Sequence, residues 1–192
     1  KCHGGNETSV EPFIAHRGML SPANPDSPVH RQKLPTTCGG CHVGPFVAFQ
    51  DSRHYQLLQS GDQRGPTCST CHGEVDGRLL SPKALASRCD SCHGDKELAP
   101  RADRANQVRQ LYEGLRVVRE QIKLADDFIK RVSDRPRRQE LTEELEQAKV
   151  PMQQAVNAGH KYVYNDLQDA LARAQTRVEA LLSKLANQPR RQ

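Results

Sequence analysis

Seven cysteines and eight histidines stand among the 192 residues of this chain, and most of them repeat one phrase. It reads Cys38-Gly-Gly-Cys41-His42, Cys68-Ser-Thr-Cys71-His72 and Cys89-Asp-Ser-Cys92-His93, and the chain opens on Cys2-His3 as if inside a fourth copy. Two thiols at that spacing reach the two vinyl groups of one porphyrin as thioethers, and the adjacent imidazole is held under the ring to bind the iron. Cys-x-x-Cys-His is the attachment signature of a c-type haem. Zinc would need only the thiols, usually as two Cys-x-x-Cys pairs per ion, with no histidine after each pair. An iron–sulfur cluster would want a run such as C-x2-C-x2-C, which is absent. Disulfides leave one of seven cysteines over and give no reason for a histidine in the same place each time.

The histidines offer an independent count. His3, His42, His72 and His93 belong to the motifs, which leaves His16, His30, His54 and His160. Taken singly, each spare histidine is more simply a satisfied surface residue. Four motifs matched by four spare histidines point instead to about four haems c, each iron ligated by histidine on both axial sides. Such an iron is saturated and suited to passing one electron.

The elements that must position these groups fall into two parts, 1–100 and 101–192. Only 35% of the chain is apolar, 4% is aromatic and there is no Trp, so an ordinary core would be thin. In the first hundred residues Gly and Pro are frequent and long apolar runs are missing; covalently held porphyrins are expected to act as the core, and this half is not expected to fold without them. The segment "SPANPDSPVHRQKLP" holds four prolines and His30, and cannot be a regular helix. Farther on, Phe46, Val47, Phe49, His54, Tyr55, Leu57 and Leu58 suit one helix or two short ones, ended by Gly61 and Gly65-Pro66. His54 then lies between two motifs and can face a haem of either.

The stretch "CGGCHVGPFVAFQDSRHYQLLQSGDQRGPTCSTCHG" resembles the multihaem cytochrome c pattern, in which a motif is followed by an S-x-H segment and then by P-x-C-x-x-C-H-G. That family spans tetrahaem cytochromes, NapC-type quinol dehydrogenases and the pentahaem and octahaem reductases of nitrite, hydroxylamine and tetrathionate. By this resemblance Ser52-Arg53-His54 carries a distal ligand, and the likeness covers roughly residues 1 to 95. Two features differ from the enzymes of the family. Nitrite reductases place Lys after one motif to leave the catalytic iron open, whereas all four motifs here end in His, and none of the four tyrosines stands in a motif that matches a crosslinking Tyr.

After "APRAD" glycine nearly disappears and charge rises. Val108, Leu111, Leu115, Val118, Ile122, Ala125, Ile129 and Val132 follow an unbroken 3,4 spacing, the seam of a coiled coil or helical hairpin over 104–133. Asp134 and Pro136 suit a turn into a second stretch, with Leu141, Leu145 and Ala148 on one face until Pro151. A third helix is expected from about Pro151 to Asn187, with Val156, His160, Val163, Leu167, Ala170, Ala174, Val178, Leu181 and Leu185 near one stripe. His160, with Gly159 beside it, is the expected distal ligand from this part.

The fold class is therefore mainly α: a loop-rich multihaem domain followed by a long helical hairpin. The expected function is electron transfer through about four closely packed bis-histidine haems. The alternative is the C-terminal part of a multihaem oxidoreductase of nitrogen or sulfur compounds whose catalytic haem lies outside this segment. The formal charge of +5 is not a nucleic-acid signal. Two propionates on each of four haems would add about eight negative charges, and Lys and Arg do not interleave with aromatics as a nucleic-acid groove requires. Redox proteins or further haem domains are the expected partners, with a homo-oligomer or a larger membrane-associated complex possible through the C-terminal helices. No stretch approaches 18 apolar residues, and a periplasmic or extracellular location is expected for a chain that starts inside a motif and is taken not to be the whole precursor.

Overall fold

The computed structural model describes residues 4–73, 80–94 and 103–187. Among them it is mainly α, with nine helices and no strand, and no helix is long and apolar enough to cross a membrane. The chain divides into two compact units, Lys1–Ala99 and Pro100–Gln192.

The first unit holds six short helices: α1 (Pro12–Ala15), α2 (Leu34–Gly39), α3 (Val43–Gln50), α4 (Arg53–Gln59), α5 (Cys68–His72) and α6 (Pro82–His93). The proline-rich run ahead of α2 is a succession of tight turns. Asn24, Ser27 and His30 each donate their backbone N–H to the carbonyl three residues back, at 2.9, 2.9 and 3.0 Å. Pro22, Pro25 and Pro28 fall at the second place of these turns, where a fixed φ is favourable and no N–H is needed. The Thr37 hydroxyl then donates to the Pro28 carbonyl at 2.6 Å, which ties α2 to the last turn. α3 and α4 are separate because Ser52 interrupts them: it is extended, 1% exposed, and its Oγ accepts from the Tyr55 N–H at 3.1 Å. A cap of this kind is worth about 1 kcal/mol. Tyr55 folds back edge-on against Phe49 and Phe46, with ring centroids 5.5 and 6.4 Å apart.

The second unit is a bundle of three long helices, α7 (Asp103–Ile129), α8 (Arg135–Lys161) and α9 (Tyr164–Ala186), each packed on the other two. Its core takes Leu111, Leu115, Val118, Ala125 and Ile129 from α7, so the seam read from spacing is the buried face, with Ile122 and Val132 packed against it. α9 contributes Leu167, Ala170, Ala174, Val178 and Leu181.

The break expected at Pro151 is not there. α8 runs through Pro151, which is buried, and its apolar stripe continues from Leu141, Leu145 and Ala148 to Met152, Ala155 and Ala158. A proline inside a helix leaves the carbonyl four residues back without its donor. Here that carbonyl is Gln147 O, and the Arg177 guanidinium of α9 donates to it at 2.8 Å. The helix ends instead at Tyr162, which adopts φ +61°. Its N–H bonds to Gly159 O at 3.2 Å and that of Val163 to Ala158 O at 3.2 Å, the pattern of a Schellman cap. His160 is thus in the last turn of α8, and Val163 is the N-cap of α9 rather than part of one stripe with Leu167.

Removing the Arg177 side chain leaves the Gln147 carbonyl to water, so Arg177→Ala is expected to cost roughly 0.5–1.5 kcal/mol in urea unfolding of the bundle. Pro151→Ala restores the helix's own donor. In that background the cost of Arg177→Ala is expected to fall to near zero, and equal costs in both backgrounds would exclude the link.

Candidate haem-binding site

Each described motif is one turn of helix, which brings cysteines three apart and the following histidine onto one side. At the first, His42 N bonds to Cys38 O at 2.9 Å, so the turn runs on past the end of α2. The second is α5 itself. Thr67 caps it reciprocally: its Oγ1 accepts from Thr70 N at 3.2 Å while its own N–H donates to Thr70 Oγ1 at 3.0 Å. The third is the last turn of α6, whose start is set by Ser81, accepting from Ala84 N at 3.2 Å, and by Pro82 at the first helical position.

The loop before α5 is held by one side chain. Arg31 donates through Nη1 to Gln63 Oε1 at 2.6 Å and to Asp62 O at 3.4 Å, and through Nη2 to Gly65 O at 2.6 Å and Gln63 O at 3.2 Å. Gln32 and Gln59 exchange side-chain bonds to each other's carbonyls at 3.4 and 3.2 Å. Arg64 holds the Asp62 carboxyl down at about 2, through side-chain and backbone hydrogen bonds. Spacing of cysteines does not reveal these residues, although Pro66-Thr67 and Ser81-Pro82 carry the usual signs of a helix start.

Through this scaffold the three motifs converge. Burial pushes the Cys68 thiol up to about 12, and the neighbouring Cys38 thiol, within hydrogen-bonding reach, adds to the shift. Burial also raises Cys89, followed by Cys71 and Asp90 close by. None of the six described cysteines forms a disulfide, and no three His, Cys, Asp or Glu among the described residues gather to hold a metal ion by themselves.

The histidines outside the motifs are distributed as follows. His16, exposed at the end of α1, lines an open groove of about 510 Å³ with Pro12, Phe13 and Arg17. Its Nδ1 lies 2.6 Å from Pro12 O. A carbonyl only accepts, so Nδ1 carries a proton, and Nε2 is the ring nitrogen that would ligate a metal. His160 is set in the same way, with Nδ1 2.8 Å from Val156 O. His30 is half-buried where the turns lead into α2. His54 is half-buried near the start of α4, and burial, followed by the charge of nearby His93, lowers its pKa. Cys2 and His3 lie outside the described residues.

These residues fit a porphyrin. The buried hydrophobic residues described in this unit are Ala48, Phe49, Leu58 and Ala86, whereas Val10, Phe13, Val43 and Val47 are more than half exposed. That is too little apolar burial for a unit of this length. Haem would be held by the thiols of each pair and by the imidazoles, and it would supply a reversible one-electron couple.

Residues 23–94 match the family model of cytochrome c7 and related cytochrome c. The match takes in all three complete motifs together with His30 and His54. No curated protein and no solved structure matches the chain. Over the matched residues the chain is similar to c-type cytochromes, which supports covalently bound haem and a role in electron transfer.

The two residues between Cys38 and Cys41 are not equivalent. A Cβ at Gly39 would stand 2.4 Å from the Phe46 ring, whereas at Gly40 its nearest neighbour is Thr37 O at 3.4 Å. Gly39→Ala is expected to lower stability by about 1–3 kcal/mol and Gly40→Ala by much less, compared by urea midpoints of the haem-loaded chains.

Proposed function

We propose that the chain is an electron relay of about four closely packed c-type haems, each iron held between two histidines. Cys38 and Cys41, Cys68 and Cys71, Cys89 and Cys92, together with Cys2, anchor the rings. His3, His42, His72 and His93 are the proximal ligands, and His16, His30, His54 and His160 the distal ones. The observation that carries this reading is the packing of α5, which holds Cys68 and Cys71, on α2, which holds Cys38, and on α6, which holds Cys89 and Cys92. Porphyrins fixed at neighbouring thiols lie close enough to exchange electrons. The match of residues 23–94 to cytochrome c7 supports it.

The relay works outside the cytoplasmic membrane, between redox proteins or further haem domains. The three-helix unit is the element through which copies of the chain, or a larger membrane-associated complex, would assemble.

The intact mass of the chain is expected to exceed that of the polypeptide by about four haems. The electron paramagnetic resonance spectrum of the oxidised protein is expected to contain low-spin ferric signals only, unmoved by nitrite. A high-spin signal that nitrite shifts would mean an open iron, and would replace the relay by a multihaem oxidoreductase of nitrogen compounds.

His160 rests on the count of histidines alone. His160→Met is expected to leave the number of haems unchanged and to raise the midpoint potential of one, as a Met/His pair does. Unchanged potentials would remove His160 from the ligands.

A further inference from the structure

His54 stands in the sequence between the motifs of Cys38 and Cys68, and its ring faces that of His93, of the third motif, with ring centroids 5.9 Å apart and planes inclined by 52°. We propose that His54 and His93 are the two axial ligands of one iron, that of the haem attached through Cys89 and Cys92. This deepens the relay reading and rests on it.

The separation is the first argument. Two metal–nitrogen bonds of about 2 Å, each with half an imidazole beyond it, span about 6 Å between ring centres. The observed 5.9 Å leaves room for one iron between the rings. The inclination is no obstacle, because each imidazole turns freely about its own bond to the metal.

The second argument is how firmly each ring is placed. His54 follows the Ser52 cap by two residues, and Ser52 is buried with its hydroxyl held by Tyr55 N. His93 ends α6, next to Cys92 and one turn after the half-buried Cys89, so the proximal imidazole and its two thiols share a helical turn. α6 packs on α5, and α5 on α2. α4 in turn packs on α3, and α3 on α2. The pair is therefore fixed through two chains of packed helices that meet at α2.

The test uses the full haem-loaded chain and three variants: His54→Met, His93→Met and both together. Haem number is read by intact mass, and each haem by its midpoint potential and spin state. His54→Met is expected to keep every haem and to alter one. In the double variant the haems altered or lost are expected to number one, the same one as in His93→Met, and this holds whether or not His93→Met still retains that haem. Two altered haems in the double variant would place His54 on a different iron and overturn the pairing. An unaltered set of potentials in His54→Met would overturn it as well, leaving the relay reading intact. A parent chain without any haem mass would overturn both.

Discussion

A folded unit must hide enough apolar surface to offset the entropy of ordering its backbone, and the first unit of this chain has little of its own to hide. Four buried hydrophobic residues, two of them alanines, are described there. The second unit has a continuous core drawn from all three helices. The contrast points to the bond between thiol and porphyrin as the interaction on which the first unit would depend. Each such bond would be local, joining a ring to one helical turn. A fold around the rings would then need only to orient turns, and short capped helices with tight turns suffice for that.

The orienting is done by polar groups that spacing arguments about haem do not include. Ser52, Thr67 and Ser81 start α4, α5 and α6 by accepting backbone N–H groups. Arg31 converts the loop before α5 into a fixed strut by satisfying three of its carbonyls. The prolines, far from loosening the segment before α2, set a turn every three residues. Rigidity in this unit comes from saturating backbone groups more than from packing side chains.

The residues proposed to bear haem stand out in the sequence because covalent attachment demands a fixed spacing. The seam of α7 was legible because helical packing demands a period, and Leu111 to Ile129 keep it. The end of α8 was not. Proline is the usual sign of a stop, but the donor that replaces its missing N–H is Arg177, in another helix and thirty residues from the carbonyl it serves. The true stop carries no glycine; Tyr162 takes the left-handed conformation that glycine normally supplies. The stripe itself held the answer, since Leu141, Leu145, Ala148, Met152 and Ala155 keep the 4,3 spacing across Pro151. The neighbour of His54 in space was less legible: its place between two motifs points to residues close in sequence, and its ring also lies 5.9 Å from that of His93, nearly forty residues on.

The bond from Arg177 to Gln147 also bears on how the bundle chooses among alignments. Helices with a regular apolar stripe can slide past one another by a heptad and still bury most of the same surface, so burial alone distinguishes such alignments weakly. A bare carbonyl in α8 is a singular mark on an otherwise periodic surface. In this alignment Arg177 of α9 presents a guanidinium to it. By breaking the repeat once, Pro151 gives two long helices a polar contact that favours this alignment over others.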